Sequence, residues 1–390
     1  MYSKKHLILT AVCTAIVVTL LCFSFFLWPW GYQNYDSIVR AKKIITENYV
    51  NPLTDEQKKN MTDWAIQGMV YALGDQYSNY LNAEDLEDFS VAHEESYTGL
   101  GISINFNAET ESIQVISPYD NSPAQKAGVR PGDEIVQVDD IKVSAETYEE
   151  VLDYIKSGEH ESVLLHINRG GESFSVSVMP EKVKQQSVSR KMFGGGLGYI
   201  RISEFIASTD EDFKNAVEEL KKLDMRGLII DLRSNPGGYA ETVIAATDYL
   251  LPEGVIAYLE DNHGDRKYFY SDKEALSMPI AVLINRGTAS ASELMAGSLK
   301  AHGLATVIGE KSYGKAVGQS VYQLTSTTAL YLTDARYFTP NGDCIDKLGI
   351  EPDIAVSLSD ELLGKISLLE PDEDAQLAKA IEVLTAKAAE

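Results

Sequence analysis

Leu7 to Trp28 is one unbroken run without a charge, close to the length of about 20 apolar residues that spans a bilayer. Beyond it the pattern becomes periodic. Ser37–Ile45 and Met61–Leu73 carry apolar side chains three and four apart, the spacing of helices. Gly74–Asn79 interrupts this, and an acidic helix is expected over Ala83–His93. From Tyr97 the rhythm is that of strands: Thr98–Ile102, Ser103–Phe106, Ile113–Ile116, Val163–Ile167 and Ser173–Val178, with a helix around Tyr148–Ile155. From about residue 185 strand and helix alternate. Gly198–Phe205 reads as a strand, Asp210–Leu223 as an amphipathic helix, and Gly227–Leu232, Ile280–Ile284 and Ala305–Ile308 as strands. Continuously apolar strands of this kind suit a sheet covered on both faces. Asp374–Ala388 is alanine-rich and helical. The pattern predicts a multidomain α/β (α+β) protein.

One segment of this alternation carries candidate chemistry. Ser290 stands where the strand Ile280–Ile284 gives way to a helix beginning near Ala291, and Lys315 follows 25 positions later, just past the strand Ala305–Ile308. Two parallel strands joined by a helix bring their C-terminal ends to one sheet edge, so this crossover can set Ser290 beside Lys315. A serine hydroxyl needs a neighbouring base to become a nucleophile, and a lysine serves as that base only when desolvation disfavours its ammonium form. Gly314, Ala316, Val317 and Gly318 flank Lys315 without a carboxylate, and Gln319 can orient an amine by a neutral hydrogen bond.

Blander readings compete. Ser290-Ala-Ser-Glu293 is a capping-box pattern, so Ser290 could simply cap the following helix. Gly309–Ala316 nearly spells the phosphate-binding GxxxxGK[ST], but Ala316 lacks the hydroxyl that would bind magnesium. Ser312-Tyr-Gly-Lys315 matches SxxK, a motif that works on a helix, whereas Gly314 lies in a glycine-rich loop and neither KTG nor SDN occurs. Between catalysis and capping these residues alone leave the choice open.

The whole segment resembles the active-site region of the carboxyl-terminal processing proteases, the tail-specific serine peptidases. That family carries (S/T)ASASE and a GxK…Q stretch; this chain reads Thr288-Ala-Ser290-Ala-Ser-Glu293 and Gly314-Lys315-Ala-Val-Gly-Gln319. Ile229–Gly238, Gly198–Ile202 and Gly349–Asp353 match further signatures, and the resemblance covers about residues 35–356. It implies Ser290 as nucleophile, Lys315 as general base and Gln319 as the residue orienting it. It also implies an oxyanion hole from a glycine N–H, Gly237 or Gly238, together with that of Ala291. A sharp glycine turn after a strand is able to aim such a group. Thr288 and Ala316 are mild departures, since serine and glycine are commoner there; neither removes a catalytic atom.

Residues 95–180 resemble a PDZ domain. Gly99-Leu100-Gly101-Ile102 matches the loop whose N–H groups hold a peptide carboxylate while the ligand adds as a strand, and SPAxxAGxxxGD follows from Ser122. The expected organisation is a cytoplasmic tip (1–6), a transmembrane signal anchor (7–29), a helical region (30–94) and the PDZ domain (95–180). The αβ protease core with a mixed sheet (181–356) and a C-terminal helical segment (357–390) complete it. In this family the N-terminal helices can take part in homodimerisation.

Composition sharpens the setting. Lys4, Lys5 and His6 precede the apolar run, which places the tip inside and the bulk of the chain outside the cell membrane; Trp28 and Trp30 fit an interfacial anchor. No AxA-like site follows the run, and Leu20-Leu21 before Cys22 does not suit lipoprotein processing. With Cys13 and Cys22 in the apolar run, Cys344 has no intrachain partner outside it and reads as a small buried hydrophobe. The net charge of −24 argues against nucleic acid and against an anionic-lipid patch. The coherent reading is a membrane-anchored extracytoplasmic serine endopeptidase that selects protein C-terminal tails, with no metal or cofactor. Two other readings are a serine–histidine–aspartate protease, with His302 as the histidine nearest the site, and a tethered peptide-binding scaffold with an inactive protease fold.

Overall fold

The computed structural model describes residues 32–92, 96–108, 110–119, 121–157, 160–272, 275–359, 362 and 365–387. The apolar run Leu7–Trp28 lies outside them, and among the described residues no helix is long and apolar enough to cross a membrane. The chain divides into two compact units, Met1–Leu86 with Val321–Leu332, and Glu87–Ser320 with Thr333–Glu390.

In the first unit the periodic segments form the helices Tyr32–Asn48 and Asp55–Tyr71. The second opens on a capping box: the Thr54 hydroxyl accepts the Gln57 N–H at 3.1 Å, and the Gln57 side chain accepts the Thr54 N–H at 3.0 Å, which satisfies two orphan donors at once. The short strand Asn79–Leu81 pairs antiparallel with 329–331. A segment far along the sequence therefore completes this unit, a return that no local pattern announces.

Two of the sheets in the second unit have apolar cores of their own. In the first, strands Ile102–Asn107, Ser112–Pro118, Glu134–Val138, Val163–Arg169 and Glu172–Val178 lie side by side in that order, and Ile141–Lys142 pairs with Glu134–Val138. Their inward residues Val115, Ile135, Val138, Val163 and Leu165 pack with Val151 of the helix Tyr148–Lys156. Asp133 is fully buried and receives Arg169 through Nε at 2.6 Å and Nη2 at 2.8 Å. Ser96–Gly99 pairs antiparallel with Glu181–Lys184.

The other sheet positions the candidate chemistry. Its order is Val188–Phe193, Leu197–Ile202, Gly227–Asp231, Ile280–Ile284, Ala305–Gly309, Ile354–Ala355. The first pair is antiparallel and the rest are parallel, so the sheet is mixed, as expected. Every residue of Gly227–Asp231 and Ile280–Ile284 is buried, because both faces are covered. Leu228, Ile230, Val282 and Ile284 face the helices Thr209–Lys222, Ala240–Asp248 and Ala291–Ala301. Ile229, Ala281, Leu283 and Ile308 face Leu377, Ala380 and Leu384 of the C-terminal helix Ala375–Lys387.

A buried ionic network fastens that helix to the sheet. Arg233 is wholly buried; its Nη2 lies 2.6 Å from Asp231 Oδ2 and 2.8 Å from Asp374 Oδ2. Its Nη1 donates to Asp374 at 2.9 Å and to Gln376 at 3.0 Å, while Asp374 also accepts the N–H groups of Gln376 and Leu377 at the helix start. Burial alone would raise the Asp231 carboxyl, but Arg233 and Arg201 hold it down to about 2.

Removing one partner from such a network leaves uncompensated buried charge. Arg233→Met is expected to lower the unfolding free energy by about 3–5 kcal/mol, measured by urea titration. Because the Asp231 pKa is depressed in the fold, its stabilisation is complete above about pH 4 and disappears as pH falls toward 2. The difference between wild type and Arg233→Met should shrink over that same window. A loss under about 1 kcal/mol, or one unchanged at low pH, would show that the network contributes little.

Candidate active site

The crossover delivers Ser290 as the spacing requires. Ile280–Ile284 and Ala305–Gly309 run parallel in register from Ile280 opposite Ala305 to Ile284 opposite Gly309, and Ala291–Ala301 is the helix between them. The turn before Ser290 is lashed to the turn after Gly227–Asp231. Thr288 Oγ1 accepts the Asn285 N–H at 3.0 Å and donates to the Leu232 carbonyl at 2.8 Å. Asn285 Oδ1 accepts the N–H groups of Ser234 and Gly287, and the Ala289 N–H donates to the Asn235 carbonyl at 2.9 Å. Threonine at 288 therefore keeps the hydroxyl that the turn uses.

Ser290 occupies the N-cap position, but with φ 56° and ψ −118° instead of the extended backbone usual for a cap. Such a conformation costs a non-glycine residue about 1–3 kcal/mol and persists only where its surroundings dictate it. The surroundings here are specific. The Ser290 carbonyl accepts the Tyr337 hydroxyl at 2.9 Å, and the Ser290 N–H donates to Glu293 Oε2 at 2.9 Å. Burial, then the nearby Glu293, pushes the Tyr337 phenol well above its ordinary range, which keeps it a donor.

Glu293 joins the two halves of the site. Its Oε2 accepts the N–H of Lys315 at 2.8 Å as well as that of Ser290, and its Oε1 accepts the Gly314 N–H at 2.7 Å and the Ser312 hydroxyl at 2.5 Å. The backbone nitrogens of Ser290 and Lys315 are thus no farther apart than two hydrogen bonds meeting at one oxygen. Glu293 has no exposed surface; burial raises its carboxyl, and the donors from Ser312, Lys315, Gly314 and Ser290 pull against that. From its neighbours along the chain Glu293 reads only as part of a capping box. No local signal marks more, because its other partners lie 19, 21 and 22 positions on.

Other predicted residues fall as follows. Lys315 is half-buried, next to the wholly buried Ala316. Gln319 lies on the strand Val317–Gln323, and its amide nitrogen donates to Thr333 Oγ1 at 3.2 Å. Gly237 has φ 110°, and a methyl there would stand 2.8 Å from Ser290 Cβ and 3.0 Å from the Ala291 nitrogen. The Gly237 N–H is taken by Asn235 Oδ1 at 2.9 Å. Among the described residues the N–H groups of Gly238 and Ala291 donate to no protein group. His302 caps the far end of the helix that Ser290 begins, about 18 Å away along its axis, and its Nε2 pairs with the Val255 carbonyl at 2.8 Å. It is a structural histidine. Cys344 is half-buried against the core, in line with its reading as a small hydrophobe. Among the described residues no cluster of histidine, cysteine or acidic side chains could hold a metal ion.

In the PDZ-like region Gly99, Leu100 and Gly101 are buried and Ile102 begins the first strand of the six-stranded sheet that includes Ile141–Lys142. The Leu100 carbonyl accepts the Ala124 N–H at 3.0 Å and the Gly101 carbonyl accepts the Tyr119 N–H at 2.8 Å. With its carbonyls turned into the domain, the loop presents its N–H groups to the other side.

Comparison with known proteins agrees with this geometry. Residues 196–356 match peptidase family S41, residues 114–169 match the PDZ domain, and residues 30–85 match the N-terminal domain of the activating protease CtpB. The carboxy-terminal processing protease CtpB of Bacillus subtilis (strain 168) is 33% identical over 344 residues, 86% of this chain and 71% of the relative. A carboxy-terminal-processing protease of Bartonella bacilliformis is 35% identical over 333 residues, 83% and 76% of the two chains. The structure of a photosystem II D1 C-terminal processing protease superposes with a TM-score of 0.52 at 27% identity, covering 87% of this chain and 98% of that one. These likenesses favour a protease over an inactive scaffold. Identity at this level across most of both chains shows that the chain belongs to peptidase family S41, as a carboxyl-terminal processing serine protease.

Proposed function

We propose that the enzyme is anchored by residues 7–29 with its bulk outside the cytoplasm, captures protein C-terminal tails on its PDZ domain, and cleaves through Ser290 and Lys315. The observation that carries the catalytic part is the single Glu293 oxygen accepting both backbone N–H groups. In the proposed reaction Ser290 Oγ attacks the scissile carbonyl carbon while Lys315 Nζ takes its proton. The carbonyl oxygen becomes an oxyanion facing the N–H groups of Ala291 and Gly238; Gly238 is preferred because the Gly237 N–H is already engaged. Collapse breaks the C–N bond, Lys315 returns the proton to the leaving amine, and water then releases the acyl group by the same route. Gln319 steadies the lysine from the adjoining strand. Trp64 and Tyr71, both strongly exposed on the N-terminal helices, support pairing of that unit with a second copy.

Three experiments test this reading. Cleavage of a loosely folded protein should fall by about 10²–10⁴ in Ser290→Ala and Lys315→Ala, while His302→Ala stays near wild type. Lys315→Arg should be equally inactive, because a guanidinium does not surrender its proton at working pH; an active Lys315→Arg enzyme would remove lysine from the mechanism.

Glu293→Gln keeps shape but replaces one acceptor oxygen with a donor. It should cut kcat by about 10–100-fold through misplacement of Ser290 and Lys315 with KM little changed. Full activity would mean that the carboxylate is only a helix cap.

The full chain should resist alkaline carbonate extraction from membranes of the expressing cell, and its bulk should be digested by protease added outside. Release by carbonate, or protection from the protease, would refute the anchor or its orientation.

A further inference from the structure

The peptide unit between Ser290 and Ala291 faces two ways. In a trans peptide the C=O and N–H of one plane point in opposite directions, so whatever aims the Ser290 carbonyl also aims the Ala291 N–H. That N–H is one of the two donors left open beside the nucleophile, and a methyl on Gly237 would come within 3.0 Å of its nitrogen. The carbonyl, by contrast, is held. It accepts the N–H groups of Glu293 at 2.9 Å and Leu294 at 3.0 Å from the first turn of its own helix. From outside that helix it accepts the Tyr337 hydroxyl at 2.9 Å. Helix ends fray, and Ser290 has a left-handed φ of 56°, so a bond from a separate element adds a constraint that the helix does not supply. Tyr337 is itself fixed at both ends. It stands near the end of the strand Ala329–Phe338, opposite Leu259; its N–H donates to the Ala316 carbonyl at 3.0 Å, and its side chain is buried. The residue that meets the Ser290 carbonyl thus also holds the residue that follows Lys315. Burial, then Glu293, keeps the phenol neutral, so its hydroxyl stays a donor throughout the working pH range.

We infer that Tyr337 is a positioning residue of the oxyanion hole, acting through the Ser290–Ala291 peptide plane to aim the Ala291 N–H at the substrate oxygen as it gains charge. This rests on the Ser290–Lys315 reading and adds a residue to it. Tyr337 touches no reacting atom. A hydrogen bond to the carbonyl of a peptide unit also polarises its N–H, since linked hydrogen bonds strengthen one another. The hydroxyl therefore contributes to both the direction and the strength of the donor. Its effect falls on the transition state, because the ground-state carbonyl carries little charge and the oxyanion much. Loss of the hydroxyl should lower kcat and leave KM.

The test uses the full-length chain in detergent, with fluorescein-labelled casein as substrate for wild type, Tyr337→Phe and Ser290→Ala. Phenylalanine removes the donor and keeps the ring. From a panel of tetrapeptide aldehydes differing in the last residue, the strongest inhibitor of wild type is titrated against each protein beside its C-terminal amide. With an aldehyde, Ser290 Oγ bonds to the carbonyl carbon, the serine proton passes to Lys315, and the aldehyde oxygen becomes an oxyanion in the hole; the amide remains a ground-state ligand. The role is supported if Tyr337→Phe lowers kcat about tenfold with KM changed less than about twofold. The aldehyde should weaken by the same factor, with the amide unaffected and the thermal midpoint within a few degrees of wild type. Placing p-aminophenylalanine at 337 restores an N–H donor and should reduce both losses. A kcat within about twofold of wild type, a kcat loss with aldehyde inhibition unchanged, or a p-amino variant that regains thermal stability without regaining kcat overturns the role; the Ser290–Lys315 reading then stands if Ser290→Ala is inactive. If Ser290→Ala cleaves casein as wild type does, the serine reading falls and the role of Tyr337 falls with it.

Discussion

One buried carboxylate sets the geometry on which the proposed chemistry depends. Glu293 accepts four donors from two separate stretches of chain: the Ser290 N–H, the Ser312 hydroxyl and the N–H groups of Gly314 and Lys315. A buried carboxylate without such partners would cost several kcal/mol. Meeting that requirement draws the Lys315 loop onto the start of the Ser290 helix. The same demand fixes Ser290 in its unusual backbone conformation, because relaxing it would swing its N–H away from the carboxylate. Strain at the candidate nucleophile and satisfaction at Glu293 are therefore one arrangement seen from two residues.

That arrangement needs a rigid floor, which the mixed sheet supplies. The strand Gly227–Asp231 ends in the turn that carries Gly237 and Gly238, and this turn is bonded to the Ser290 turn through Thr288, Asn285 and Ala289. Just before the glycines, Arg233, paired with Asp231, reaches through the sheet's lower face to Asp374 and Gln376. The C-terminal helix is thus part of the support of the Gly237–Gly238 turn, and its apolar face covers Ile229, Ala281 and Leu283 from below. Neighbouring strands with both faces buried leave little freedom to shift in register, so the ends of Gly227–Asp231, Ile280–Ile284 and Ala305–Gly309 stay in step.

The parts legible in the sequence are those governed by short-range physics. Ile280–Ile284 reads as a buried strand because five consecutive apolar residues allow little else, and the 25-residue gap to Lys315 fits one crossover. The C-terminal helix, expected over Asp374–Ala388, is found at Ala375–Lys387. What stayed hidden depends on distant partners. Arg233 and Asp374 are 141 positions apart, and nothing near either one names the other. Glu293 looks like a cap from its own neighbourhood, and it does bond the N-cap N–H; its bonds to Gly314 and Lys315, 21 and 22 positions on, come from the fold. The return of Val321–Leu332 to the N-terminal unit is equally silent, since strand pairing leaves no mark on its own residues. The run Leu7–Trp28 is legible as a bilayer-spanning length, but it lies outside the described residues.

The turns around Ser290 treat their backbone donors in two ways. Around Ser290 most N–H groups are bound permanently, to Glu293, Asn235 and Asn285, and Ala291 and Gly238 stand out because they are not. A donor left open beside a nucleophile is able to stabilise charge that develops only during reaction, and it loses no ground-state bond when it does so. The glycines permit the turn, but the acceptors placed beside it decide which donors stay open.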